Sequence, residues 1–341
     1  MAEPIISVLM PVYQAAATLL ETLESLSSQS LDRFEIVAVD DGSTDESRAI
    51  LETWRQSDPR LRPELLHDHK GLTDALNHGL RSCTAPYVAR MDADDLAAPQ
   101  RLEKQLQFME QHPQVSVLGT QIECFPSDQV GEGYRVYCEW QNALIEHEQI
   151  AREIFVESPL THPSVMLRRD ELLALGGYRD CVWAEDYDLW LRYFAAGKRF
   201  AKLPEVLLSW RQHPRRLTRT DSRYSVENFL RAKAHYLLAG PLQGRDAVFV
   251  WGAGKTGRRI SKHLIRGGCT PVAFIDIDDN KIGGTLRRVP VIGVDDLSQQ
   301  WSRSQRPFLL AAVASRGARK LIREELARLQ LTEGVDFLCA A

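Results

Sequence analysis

Residues 34–54 read FEIVAVDDGSTDESRAILETW. The first six positions are almost entirely apolar, which predicts a strand buried on both faces. That run breaks on Asp40-Asp41-Gly42-Ser43. The following STDESRAILETW opens with Ser43 or Thr44 ahead of acids, a pattern that predicts a helix start. Working outward, the same strand–turn–helix unit recurs. ISVLMPVY (6–13) predicts a strand, followed by Leu19, Leu20, Leu23 and Leu26 at helical spacing. ELLHD (64–68) and PYVARMD (86–92) predict further strands, LTDALNHGL (72–80) a helix. Another helix carries Pro99 in its first turn and Leu102, Leu106 and Met109 on one face. Such alternation implies a parallel sheet covered on both sides, with ligands gathering beyond the carboxyl ends of the strands.

Three polar clusters fall at those ends: Pro11–Tyr13, Asp40–Ser43, and the acids of RMDADDLAAP (90–99). In the last, Asp92, Asp94 and Asp95 stand within four positions. Asp95 could cap the next helix, but three carboxylates exceed what a cap requires. Mg²⁺ or Mn²⁺, held by one or two carboxylates together with substrate phosphates, accounts for the pattern better.

Composition narrows the class. The chain has 341 residues, which favours two domains, and its 44% hydrophobic content is ample for buried cores. Apolar runs such as VSVLG and VAFIDI are far shorter than the ~20 residues a membrane helix needs. MAEPIISVLMPVY has neither a basic segment nor a small-residue cleavage site, so no leader is expected. Cys83, Cys124, Cys138, Cys181, Cys269 and Cys339 show no CxxC spacing, which points to reduced thiols in the cytosol. Residues 246–341 carry 15 Lys+Arg against 10 Asp+Glu, and the remainder 27 against 36. Neither half is basic enough to suggest a nucleic-acid partner. The asymmetry and the punctuation in AGPLQGR place a boundary near 245, giving domains at 1–240 and 246–341 with a linker at 241–245.

Residues 120–160 show only a mixed pattern. AEDYDLWLRYFAAG (184–197) predicts a helix closed by Gly197, and VLLSWRQHP (206–214) a strand with a polar tip. The last 96 residues, 246–341, restart the alternation. Gly252, Gly254 and Gly257 form a G-x-G-x-x-G between strand AVFV and a helix, with Asp276 ending the next strand, VAFIDI. This context predicts a Rossmann-like domain whose ligand, a nucleotide or none, is open. A phosphate-binding GxxxxGK[ST] loop is excluded because position 249 is Phe249. RKLIREELARL (319–329) predicts an amphipathic helix with Leu321, Ile322, Leu326 and Leu329 inward.

Taken in order, SVLMPVY, EIVAVDDGSTD, GLTDALNHGL, YVARMDADDLAAPQRLEKQLQFME and AEDYDLWLRY resemble the motif series of family 2 glycosyltransferases, over roughly residues 4–215. The resemblance implies a GT-A fold followed here by the small Rossmann-like α/β domain. It also implies an inverting, metal-dependent transfer of sugar from a nucleoside diphosphate, with a UDP-sugar favoured, to a hydroxyl of a saccharide or lipid-linked acceptor. Carried over by residue, Pro11 and Tyr13 frame the base, and Asp41, with Asp40 beside it, pairs with its edge. Asp92, Asp94 and Asp95 divide ribose and metal contacts between them in an order the sequence does not choose. Arg90 serves a phosphate or pairs with the acids, Asp186 is the catalytic base with Glu185 beside it, His213 reaches metal or diphosphate, and Arg211 the diphosphate. His162 lines the acceptor side. Trp183 and Trp190 offer ring stacking, though helical spacing suits Trp190 equally to the core. Gln14 stands where the family often has Asn. The expected setting is cytoplasmic, with peripheral membrane association and self-association both open. Two alternatives are an NAD(P)-linked sugar-nucleotide enzyme acting through the second domain and a non-catalytic nucleotide-sugar sensor.

Overall fold

The computed structural model describes residues 3–341; Met1 and Ala2, which begin the stretch read for a leader, lie outside the described residues. The chain divides into two compact units. The first comprises residues up to Ile150 with Pro159–Cys181 and Glu185–Thr220, and the second Ala151–Ser158, Val182–Ala184 and Asp221–Ala341.

The first unit is built on eight strands: β1 (Ile6–Val12), β2 (Phe34–Asp41), β3 (Leu61–Leu66), β4 (Tyr87–Arg90), β5 (Leu96–Ala97), β6 (Val115–Phe125), β7 (Met166–Arg168) and β8 (Arg199–Arg211). Their order is β3-β2-β1-β4-β7-β6-β8-β5. The first four are parallel, as the alternating pattern predicts. Beyond β4 the sheet is mixed, with β7 antiparallel to both β4 and β6, and β5 antiparallel to β8. Every residue of β2 is buried, which is why its sequence is a continuous apolar run and not an alternating one. The sheet packs on Leu19, Leu23 and Leu26 of the helix Leu19–Ser27 and on Leu102 and Leu106 of the helix Arg101–Gln111. Truncating a wholly buried Leu23 to alanine costs about 2–5 kcal/mol.

Helix starts depart from the predicted capping. The helix Ser47–Ser57 begins after Glu46, without a side-chain cap. Ser43 Oγ and Ser47 Oγ instead accept from the backbone N–H of Gln14 and Ala15, at 3.0 and 2.9 Å. Those hydroxyls tie the ends of β1 and β2 together. Pro99 precedes its helix, whose first residue is Arg101, and Asp95 does not cap it.

The second unit carries β9 (Ala247–Trp251), β10 (Ala273–Ile275), β11 (Thr285–Leu286), β12 (Val289–Ile292), β13 (Pro307–Ala311) and β14 (Phe337–Cys339), ordered β11-β12-β10-β9-β13-β14. Apart from the β11–β12 hairpin this sheet is parallel. The compact unit begins well before the expected linker at 241–245. Glu227 in the helix Val226–Ala239 contacts Lys262 and His263 of the helix Lys255–Arg266, which fixes that earlier helix to the second sheet's layer. Leu321 is 66% exposed, contrary to its predicted inward place, while Ile322 and Leu326 are buried.

Candidate active site

In the register of β1 with its neighbours, Val12 lies opposite Asp40 and Leu9 opposite Arg90. The chain therefore leaves β1, β2 and β4 along one rim, and all three predicted clusters meet there. The acidic loop 91–95 is pinned at its far end by β5, where Leu96 pairs with Ser209 and Ala97 with Leu208. This antiparallel pairing delivers the tip of β8, Arg211 to His213, onto the acids.

Carboxylate oxygens of Asp92, Asp94 and Asp95 lie within 4.8 Å of one another. Each has a different partner. Asp92 is ion-paired with the buried Arg90. Asp94 Oδ2 lies 2.9 Å from His213 Nε2. Asp95 is wholly buried, and its Oδ1 accepts from Arg211 N–H at 2.8 Å while its Oδ2 has no hydrogen-bond partner among the described residues. Burial, then the charges of Asp94 and Asp92, drive the Asp95 carboxyl well above the usual range. Burial also pushes Asp94 upward, but the His213 bond with the charges of Arg216 and Arg90 outweighs it and leaves Asp94 below its ordinary value. An orphaned buried oxygen inside a carboxylate triad is a donor set suited to a hard divalent cation.

Arg211 makes several contacts within the protein. Its Nε donates to the Asp94 carbonyl at 2.6 Å, its Nη2 reaches Glu21, and its guanidinium lies 4.5 Å over the Phe125 ring. It holds the loop in place. Two further cations, Arg101 and Arg216, were not singled out from the sequence. Arg101, buried, donates to the Arg90 carbonyl at 2.7 Å. Arg216 stacks 4.3 Å over Trp210 and donates to the Arg211 carbonyl. The doubled arginine directly after His213-Pro214 is the signal that could have revealed Arg216.

At the β1–β2 end, Tyr13 is half exposed and stacks on His69 with ring centroids 3.8 Å apart, so a flat surface faces outward. Pro11 is within β1 behind it. Asp41 is nearly closed to solvent. Its oxygens accept from Lys70 N–H and Gly71 N–H at 2.9 and 2.8 Å and lie 2.8 Å from His69 Nδ1. It thus fixes the loop that carries the stacking histidine. Asp40 is buried and pairs with Arg48 at 2.8 Å. Gly42, at φ +71°, lies so close to the 68–69 backbone that a Cβ would meet His69 N at 2.6 Å. Gln14 adopts φ +50°, and its side-chain oxygen accepts from the backbone of Thr44 and Asp45. Asn tolerates that left-handed conformation better than most residues, which explains the type expected there.

Glu185 and Asp186 open the helix Glu185–Ala195. Burial, then the adjacent Glu185 charge, raise the Asp186 carboxyl to about 8, although the Tyr187 N–H and Arg90 pull the other way. Arg90 therefore bears on both carboxylate groups, since Asp92 and Glu185 are among the charges that keep it protonated against its burial. His162 is buried, 3.0 Å from Tyr178 Oη and 3.8 Å from Glu185 Oε1. Burial and the charge of Arg90 hold it well below the usual histidine range, so it is neutral. Trp190 is wholly buried with its ring edge-on to His162, a core residue and not a sugar platform. Trp183 belongs to the second unit, its ring centroid 5.5 Å from that of His235.

In the second unit Gly252, Gly254 and Gly257 and Asp276 do converge. A Cβ on Gly257 would lie 1.8 Å from the Gly252 carbonyl oxygen, so the glycines allow the helix to press on the strand turn. Asp276 accepts from Ala253 N–H at 2.8 Å and pairs with Lys281 Nζ at 3.2 Å. Its carboxylate is committed to the loop itself.

The description "Glycosyl transferase family 2" belongs to the family model that matches residues 7–176. The amylovoran biosynthesis glycosyltransferase AmsE of Erwinia amylovora is 38% identical over 208 residues, covering 60% of this chain and 75% of that protein. UDP-Gal:alpha-D-GlcNAc-diphosphoundecaprenol beta-1,3-galactosyltransferase of Escherichia coli is 27% identical over 249 residues, 72% of this chain and 88% of its own. Among solved structures, S. aureus TarS 1–349 in complex with UDP-GlcNAc aligns with a TM-score of 0.57 at 19% identity, over 76% of this chain and 72% of that one. The GT-A-like sheet, the acidic loop at its rim and these likenesses agree, and the chain belongs to glycosyltransferase family 2.

Proposed function

We propose that this glycosyltransferase, which uses a nucleotide-sugar donor in polysaccharide or glycoconjugate biosynthesis, works by a single inverting displacement with a UDP-sugar, Asp186 acting as base. The observation that carries the reading is the meeting at one rim of the Asp92–Asp94–Asp95 triad with the Tyr13–His69 platform. Mg²⁺ or Mn²⁺ would be held by two of those three carboxylates with His213 at the side, and would supply neutralising charge for the departing diphosphate. Tyr13 and His69 offer a stacking face for the base, with Asp41 setting their position. A carboxylate that titrates near neutrality suits proton removal from an acceptor hydroxyl. The hydroxyl oxygen then bonds to the anomeric carbon as the bond to the diphosphate breaks. The Escherichia coli protein's name carries UDP-Gal and the TarS structure holds UDP-GlcNAc, which supports the uridine preference, and the diphosphoundecaprenol-linked sugar in the former name supports a lipid-linked acceptor. No helix among the described residues is long and apolar enough to cross a bilayer.

An NAD(P)-linked activity of the second unit has less support, because Asp276 is taken up by Ala253 and Lys281. Asp186→Asn tests the main reading. It should abolish transfer while leaving UDP-sugar binding within about twofold, less than a kcal/mol. Loss of donor binding in that variant would remove Asp186 from the role of base.

A further inference from the structure

Cys124 stands near the end of β6 and Cys138 in the helix Glu132–Asn142, both packed into the first unit's core. Their Sγ atoms are 2.7 Å apart, inside ordinary non-bonded contact and outside the disulfide bond length of about 2.05 Å. The two thiols come from different elements, and the 14-residue separation is not a redox motif that sequence would flag. Cys124 is half-buried and Cys138 nearly closed to solvent. The place matters because Cys124 pairs in register with Trp210 and Phe125 with Arg211, the strand tip that feeds the acidic loop. Gln212, next to His213, donates to the Phe125 carbonyl at 2.7 Å.

We propose that Cys124 and Cys138 form a reversible disulfide that fastens the helix Glu132–Asn142 to the strand pair carrying Arg211, making this a peroxide-responsive modification site. The chemistry balances with a hydroperoxide as oxidant. The Cys124 thiolate attacks one peroxide oxygen, the O–O bond breaks, and the leaving hydroxide takes the proton that Cys124 released, giving water and a sulfenic acid. Cys138 then loses its proton and attacks the sulfenyl sulfur. The S–O bond breaks and a second water leaves. Two thiols have lost two electrons to one peroxide. Cys124 is the better first nucleophile on exposure. The hydrogen bond from Cys138, then the Arg216 charge, hold its thiol below the ordinary value against burial, and the same bond drives Cys138 upward. In a reducing compartment such a pair rests as thiols and closes only under oxidant.

The test uses the full-length chain and hydrogen peroxide, followed by alkylation and trypsin without reductant. Arg135 lies between the two cysteines, so cleavage there separates their peptides unless a disulfide joins them. A linked pair about 2 Da lighter than its reduced parts, regenerated by dithiothreitol and absent from Cys124→Ser and from Cys138→Ser, is the expected result. Should either serine variant fail to fold, Cys138→Ala keeps a small apolar group at the buried position and reports on the same peptide. Alkylation of both cysteines as separate peptides, at a peroxide dose that already oxidises the half-buried Cys181 or Cys269, would overturn the proposal.

Discussion

His213 Nε2 lies 2.9 Å from Asp94 Oδ2 across 119 residues of chain. The antiparallel pairing of β5 on β8 brings them together, because it lays the tip of the long strand against the loop that starts the short one. That contact ties a late histidine to an early acidic motif.

His213→Ala should therefore weaken the metal requirement's affinity and not the fold. A partner that orients a metal-side carboxylate is worth about 10–100-fold in metal affinity or activity. Titrating Mn²⁺ against transfer rate at fixed donor should show the half-saturating concentration rise by about that factor. The melting temperature without metal should stay close to wild type.

The pH profile follows from Asp186 and Glu185. Asp186 titrates at about 8, with the neighbouring Glu185 charge the second largest cause after burial. The acid limb of kcat/KM, which reports the free enzyme, is expected near that pH. Removing a like charge lowers a carboxyl's pKa, so Glu185→Gln should move the limb to lower pH. A limb that stays in place would mean another group controls it.

Stability carries the opposite sign. Between 3.8 and about 8 the folded chain keeps a proton on Asp186 that the unfolded chain has released. Stability from this group is thus present at low pH and lost as pH rises through that window. Asp186→Asn should melt higher than wild type, with the difference growing from pH 5 to pH 8 in calorimetry. An equal shift at both values would contradict the assignment.

Arg90 is buried, and its ion pair with Asp92 is its main source of compensation. Arg90→Met leaves Asp92 without its partner, and breaking a buried pair in this way costs about 3–5 kcal/mol. It also withdraws a charge that lowers the Asp186 pKa, so any residual activity should require higher pH. Urea denaturation and the pH profile of the same variant check both effects.

Much of this architecture was legible because it rests on local chemistry. The continuous apolar run of β2 and the acids that end it announce a strand buried on both faces with a polar rim. The parallel half of the sheet follows from strand–helix alternation alone. The antiparallel half does not, since β7 has only three residues and β5 two, too short for a period to register. The final strand, β14, went unseen for the same reason. At the site, residue types were readable but their commitments were not. Arg211 and Asp41 carry the expected charges, and only tertiary contact reveals that each also holds a loop. The stack of His69 on Tyr13 joins segments with no shared pattern, and the helix Val226–Ala239 joins the second unit through Glu227, across the punctuation that suggested a linker.

The central claim is that the acidic loop binds a nucleoside diphosphate through a divalent metal. Thermal unfolding of the full-length chain with UDP, with Mn²⁺, and with both tests it most directly. A ligand at about 100 times its dissociation constant adds about 2.7 kcal/mol to the unit that binds it. The account predicts a rise in the first unit's melting temperature only when both are present, lost in Asp94→Asn and Asp95→Asn. A UDP shift of equal size without metal, or one that survives both substitutions, would contradict it.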